Sequence, residues 1–145
     1  MRLIEPVTTQ DFEKYYQLRW EVLRAPWNQP KGSEKDDAEN SSIHVMALNE
    51  NEECVGVSRL QKNSEEEYQV RFMGVRKDQQ GKGIGKLLMD YLEEKAKKTG
   101  AKKIILQSRE IAVPFYLSIG YEVKEKTFKL WGIIQHYRME KVVGA

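Results

Sequence analysis

Three glycines at alternate positions, Gly81, Gly83 and Gly85, stand between an apolar run ending at Val75 and a stretch of helical periodicity. This arrangement constrains the chain more than any other. The apolar run Tyr68–Val75 reads as a strand, a polar turn follows it, and an amphipathic helix begins directly after the glycines. Glycine lets a backbone approach a ligand closely. The first N–H groups of a helix have no partner within the helix and point outward. The helix dipole adds roughly half a positive charge at that end. Lys82 and Lys86 add whole charges. Residues 80–86 are therefore expected to hold a phosphate or pyrophosphate.

Spacing sorts the known phosphate loops. A P-loop requires G-x-x-x-x-G-K-S/T, but Leu87 follows Lys86 and Gln80 stands five residues before Gly85. A dinucleotide fingerprint requires G-x-G-x-x-G after a first strand. Counting from Gly81 or from Gly83, the third glycine is replaced by Lys86 or Leu88.

Composition narrows the class. The 145 residues are 40% hydrophobic and 32% charged, with net charge +2. That suits one domain, residues 1–145, with a proper core. No apolar run approaches the ~18 residues of a membrane span, and the first residues lack a signal-peptide core. The reading is a cytoplasmic protein with no membrane partner. So small a charge, with lysines spread over the surface, argues against a nucleic-acid partner. The cluster Lys95, Lys97, Lys98, Lys102 and Lys103 is read as complementing a helix C-terminus. The single Cys54 excludes an internal disulfide and a cysteine-rich metal site, and no metal is expected. Cys54 opens an apolar strand and reads as a small buried hydrophobe rather than a nucleophile.

Residues 2–7 are expected as a strand. A helix capped by Thr9 or Asp11 follows, with Phe12, Tyr15, Tyr16, Val22 and Leu23 inward, ending at Pro26 and Pro30. Lys31–Ser42 is polar and reads as a loop or solvated helix, a candidate mobile lid. Ile43–Leu48 and Cys54–Leu60 form a hairpin. On the fourth strand Gln69, Arg71 and Met73 alternate with Val70 and Phe72, and Gly74 suggests a bulge or a close backbone approach. The helix after Gly83 places Ile84, Leu87, Leu88, Tyr91, Leu92 and Ala96 on one face and ends at Gly100. Ile104–Leu106 is a buried strand. Ala112–Ile119 is a short helix with Pro114 in its first turn. Tyr121–Lys124 and Gln135–Lys141 close the chain as strands.

Gln80-x-x-Gly83-x-Gly85 resembles the Q/R-x-x-G-x-G/A motif of the GNAT acetyltransferase superfamily. Ala112-x-x-Phe115-Tyr116-x-x-x-Gly120-Tyr121 resembles that family's A-x-x-F-Y-x-x-x-G-F/Y segment. The two motifs stand in the family's order, and the resemblance spans roughly residues 43–141. It implies an α/β (α+β) fold with a mixed sheet of six to seven mostly antiparallel strands and helices on both faces. It implies acetyl-CoA as co-substrate. Gln80, Gly81, Lys82, Gly83, Ile84, Gly85 and Lys86 would hold its pyrophosphate, Met73, Gly74 and Val75 its pantetheine arm, and Phe115 would contact it. The Val75 N–H would meet the acetyl carbonyl. The implied activity is N-acetyl transfer by direct attack in a ternary complex.

Tyr116 is the candidate acid for the leaving thiolate, since a phenol keeps its proton at neutral pH. Glu67, Glu110, His44 and His136 are candidates for the base. Arg109, Glu110 and His136 are candidates for acceptor binding. Arg109 departs from the family, where asparagine is common three residues before the motif alanine. It could bind a carboxylate or phosphate of the acceptor, or pair with Glu110.

The segment Leu18–Arg24, Pro26, Gly32–Asp37, His44, Arg71-Phe72-Met73 and Arg109-Glu110 is similar to bacterial GNAT domains fused to hot-dog thioesterase-like domains, although no thioesterase half lies within these residues. The family resemblance implies a small-molecule or protein amine as acceptor; the narrower likeness implies an acyl-carrier or CoA-linked compound rather than a free amine. The oligomeric state is open between monomer and homodimer. The competing class is a CoA or acyl-CoA binding module without catalysis.

Overall fold

The computed structural model describes residues 1–144. Seven strands form one sheet in the order β1-β2-β3-β4-β5-β7-β6. They are β1 (Arg2–Ile4), β2 (Ile43–Leu48), β3 (Cys54–Lys62), β4 (Glu67–Val75), β5 (Lys103–Arg109), β6 (Glu122–Leu130) and β7 (Ile134–Val142). Every neighbouring pair is antiparallel except β4 and β5. A parallel pair needs a long crossover, and α2 (Ile84–Lys98) supplies it. Helix α1 (Thr9–Leu23) packs on one face. Helices α2 and α3 (Val113–Ser118) pack on the other.

The alternation of β2 and β3 assigns side chains to the two faces. Met46, Leu48 and Val57 meet Tyr15 and Leu18 of α1. Val45, Ala47 and Val55 meet Ile84, Leu88, Met89 and Leu92 of α2. Each Val, Leu, Ile or Met side chain among them stabilises the fold by roughly 1.5–3 kcal/mol on burial. Gly56 seats α2, because a Cβ there would stand 2.8 Å from Ile84 Cγ2 and 3.0 Å from Leu88 Cδ1.

Several local expectations are corrected. Strand β1 stops at Ile4. The cap of α1 is Thr8: its side chain accepts from Asp11 N, and Asp11 returns the bond to the Thr8 N–H. Asp11 is the third helical residue of a capping box, not the cap. Leu87 is exposed at 46%, because the buried face of α2 is centred on Ile84, Leu88, Leu92 and Ala96 and Leu87 falls outside it, and Met89 is buried in its stead. β6 and β7 form one long hairpin around residues 131–133, with positive φ at Trp131 (51°) and Gly132 (68°). The polar run of β6 hid its length, since that strand is an edge with most side chains in solvent.

The stretch Lys31–Ser42 is neither solvated helix nor free loop. Arg19 and Arg59, both 0% exposed, hold it from beneath. Arg19 donates to both Glu39 carboxylate oxygens (2.9 and 3.0 Å) and to the Glu34 carbonyl (3.0 Å). Arg59 donates to Asp36 (2.6 Å) and Glu39 (2.7 Å). The Arg59 guanidinium holds the Asp36 carboxyl down at about 2. Buried charges of this kind require partners, so the loop is pinned by its own acids.

Candidate active site

Strands β4 and β5 pair only through Glu67–Val70 and Lys103–Leu106. Beyond that both continue, β4 to Val75 and β5 to Arg109. Among the described residues no strand pairs with Arg71–Val75 on the β5 side, so the sheet splits open there. A bulge explains the split. On β3 only Ser58 lies between the pairs Val57↔Gly74 and Arg59↔Arg71, whereas β4 fits both Phe72 and Met73 between them. Phe72 takes φ 57°. A bulge bends and twists its strand.

The bulge also resets the faces. Phe72 lies on the α1 side, with the Arg19 guanidinium 4.4 Å from its ring centre. Met73 and Val75 turn to the α2 side. The expectation that Met73 shares a face with Arg71 is therefore overturned by one extra residue. Gly74 serves close approach to α1, as a Cβ there would lie 3.3 Å from Val22 Cγ1. Arg76 donates its N–H to the Val55 carbonyl at 2.9 Å. Antiparallel alternation then directs the N–H and C=O of Val75 away from β3 and into the split. Gln80 Nε2 takes that carbonyl at 3.2 Å.

The glycine loop closes one end of the split. Gly81 and Gly83 have φ of 80° and 84°, with no atom within 4 Å of a notional Cβ. Their requirement is conformational, not steric. No side chain caps α2 at Gly83, and its first turn carries no acid. Lys82 reaches Gln79 at 3.4 Å and Lys86 pairs with Asp90 at 2.9 Å. Gly85 brings the two sequence motifs together, since its Cβ position lies 3.1 Å from the Phe115 ring.

Behind Phe115, Tyr116 is 6% exposed and packs edge-on to Phe115 and to Tyr121. Its hydroxyl has no hydrogen bond among the described residues. The fully sealed, unpartnered side-chain atoms among the described residues are Arg19 Nε, Ser58 Oγ and Arg59 Nε, so the Tyr116 hydroxyl keeps a trace of exposure. Burial pushes its pKa up to about 12.

Arg109 ends β5 and pairs across the ladder with His136 of β7. Ile104 and Leu106 face α2, so the odd positions of β5, Arg109 included, face α1. The Arg109 guanidinium lies 5.4 Å from the Trp27 ring centre. Glu110 accepts from the Tyr137 hydroxyl at 2.8 Å, and it makes no ion pair with Arg109. His136 Nδ1 meets the Ile134 carbonyl at 2.9 Å. A carbonyl only accepts, so Nδ1 carries the proton and Nε2 presents a lone pair. Burial pushes this imidazole below its ordinary pKa.

Three other candidates lie elsewhere. His44 is buried on β2, with Nδ1 at 2.8 Å from the Tyr15 hydroxyl and Nε2 at 2.7 Å from the Glu39 carbonyl, so both nitrogens are used. Glu67 sits at the opposite end of β4, beside Lys103 and Arg138. Burial pushes the Cys54 thiol up to about 12, which keeps it protonated and inert. The aromatic wall of Trp27, Phe72 and Trp131 and the guanidinium of Arg24 escaped the sequence reading. They come from three separate segments, around Arg24–Trp27, at Phe72 and at Trp131, and nothing local marks them as neighbours. No helix among the described residues is long and apolar enough to cross a membrane.

The profile of the acetyltransferase (GNAT) domain matches residues 22–143. The chain is 32% identical over 143 residues to the uncharacterized N-acetyltransferase YjcF of Bacillus subtilis (strain 168), covering 97% of this chain and 99% of that one. Escherichia coli ElaA superposes with a TM-score of 0.80 at 21% identity, over 97% of each chain. An aminoglycoside 6'-N-acetyltransferase complexed with coenzyme A superposes with a TM-score of 0.79 at 17% identity, over 99% of this chain and 97% of that one. Glycine loop, split strands and buried tyrosine thus sit in a fold those proteins share, and the chain belongs to the GNAT acetyltransferase family.

Proposed function

We propose that this protein transfers an acetyl group from acetyl-CoA to an amine by direct attack across the β4–β5 split. The observation that carries the reading is the meeting of Gly85 with Phe115, which unites an uncapped helix N-terminus with a tyrosine hydroxyl that keeps a trace of exposure. Acetyl-CoA, when bound, supplies an activated thioester. The N–H groups of residues 81–86 would hold its pyrophosphate, and Gly81 and Gly83 give them the required backbone. The free edge at Met73 and Val75 would take the pantetheine arm as an added strand. The Val75 N–H, aimed into the split, would steady negative charge on the acetyl oxygen.

His136 and Tyr116 divide the proton transfers. His136 shares the α1 face with Arg109, and its Nε2 lone pair can take a proton from the amine. Tyr116 packs on the α2 side and holds its proton well above neutral pH, ready for the departing sulfur. The base must be neutral, and burial lowers its pKa. Activity is therefore expected to persist below the ordinary imidazole range and to fall as pH drops through the depressed value. His136→Asn removes that acidic limb.

The protein would act in the cytoplasm, as a monomer or homodimer. A binding module without catalysis would have no use for an unbonded hydroxyl at Tyr116. The test is release of CoA from acetyl-CoA with a panel of amines, read with a thiol reagent. Tyr116→Phe is expected to lower kcat by about 100-fold with acetyl-CoA affinity unchanged. Equal turnover by the variant removes Tyr116 from the mechanism.

A further inference from the structure

Five arginines converge on the α1 face of the split, and their partners differ. Arg19 and Arg59 are bound by Glu39 and Asp36, and Arg71 reaches Asp36 at 3.2 Å. Arg24 and Arg109 have no carboxylate within 4.0 Å among the described residues. Arg24 donates only to carbonyls, Nε to Ser33 and Nη1 to Leu23, each at 3.0 Å, which leaves Nη2 unused. The Arg109 guanidinium makes no hydrogen bond among the described residues. Both are partly buried.

Aromatic rings fix these two guanidiniums in place of acids. Arg24 lies 5.4 Å from the Trp131 ring centre and 5.6 Å from Phe72. Arg109 lies 5.4 Å from Trp27. The two indoles stand 6.1 Å apart, so the cations are carried by one continuous aromatic wall. Stacking orients a guanidinium and spares its in-plane N–H fork. A desolvated cation without a counter-ion is costly unless a ligand completes it. Arg24 feels the charge of Arg109, and His136 feels both. The arrangement repels a cation and fits an oxyanion held beside His136.

We propose that the acceptor is an amine bearing a carboxylate or phosphate group, which Arg24 and Arg109 grip while the amine faces His136. This deepens the acetyl-transfer reading and rests on it for the placement of the acceptor. Planar forks on Arg suit either oxyanion, and the two are separated by experiment.

A first measurement reads binding without chemistry. The indole N–H signals of Trp27 and Trp131 are followed by NMR during titration with sodium phosphate and, separately, sodium acetate, at constant ionic strength. Saturable shifts are expected with one or both, and the responsive anion names the group. Arg109→Gln, which breaks no internal hydrogen bond, is expected to weaken the response about tenfold or more, while the charge-conserving Arg24→Lys retains part of it. No saturation with either anion, or an unchanged response in Arg109→Gln, overturns the proposal.

A second measurement compares acetyl-CoA turnover with β-alanine and 2-aminoethyl phosphate against ethanolamine and putrescine. The anionic amines are expected to lead in kcat/KM by about tenfold or more. Arg109→Gln should erase that lead by raising acceptor KM, with acetyl-CoA affinity unchanged. A lead for the neutral or cationic amines overturns the proposal. Arg109-dependent anion binding without turnover of any amine overturns the acetyl-transfer reading and leaves the oxyanion site standing.

Discussion

Helices α1 and α2 are both fifteen residues long and begin in opposite ways. The start of α1 is satisfied from within: Thr8 and Asp11 bond each other's N–H groups, and Asp11 also accepts from Val7 at 3.0 Å. An acid stands in its first turn, where the dipole favours one. The start of α2 has glycine in place of a cap, no acid, and lysines on either side. Its position comes from burial of Ile84, Leu88 and Leu92, not from its end. The first helix spends its N-terminal N–H groups on the chain itself; the second keeps them for a ligand. Cations divide the same way on the α1 face, where Arg19 and Arg59 are closed by acids and Arg24 and Arg109 are open. Closed groups predict stability effects, and open groups predict binding effects.

The largest expected effect is on the closed side. Glu39→Gln leaves Arg19 and Arg59 short of a buried counter-charge and is expected to cost about 3–5 kcal/mol in urea unfolding. Acetyl-CoA affinity of the folded fraction should not change. Next comes the open side. Gly83→Glu places a side chain at φ 84° and an acid at the anion site, and is expected to weaken acetyl-CoA binding by about 100-fold, with a smaller loss of stability. A Kd within twofold of wild type would remove the loop from the binding site. The smallest effect is Thr8→Ala, which deletes the cap of α1 at about 1 kcal/mol and leaves CoA binding untouched. Should Thr8→Ala alter binding as strongly as Gly83→Glu, the division between the two helix ends would fail.

The legible parts of this fold were those where local chemistry and tertiary structure agree. The glycine loop, α2, the β2–β3 hairpin and the short helix at Phe115-Tyr116 carry periodicity or special backbone needs that can be read residue by residue. The rest depended on distant partners. An aromatic residue at φ 57° gives no local signal, so the bulge at Phe72 and the reversal of Met73 were hidden. Asp36 and Glu39 look like solvated charge until Arg19 and Arg59 arrive beneath them. The sequence reading ends this strand at Lys124, whereas β6 runs on to Leu130, because an edge strand buries little. At the site, Gln80–Gly85, Tyr116 and Arg109 were marked by motif and by departure from motif. Arg24, Trp27 and Trp131 became visible only as a wall, since three segments build it.

The most direct test of the open helix end is calorimetric titration of the wild-type protein with acetyl-CoA and with S-acetylpantetheine, which has the same thioester arm and no pyrophosphate. If residues 81–86 hold the pyrophosphate, acetyl-CoA binds more tightly by about tenfold or more, and Gly83→Glu abolishes that difference. Equal affinity for the two compounds, or no binding of acetyl-CoA, would contradict the account.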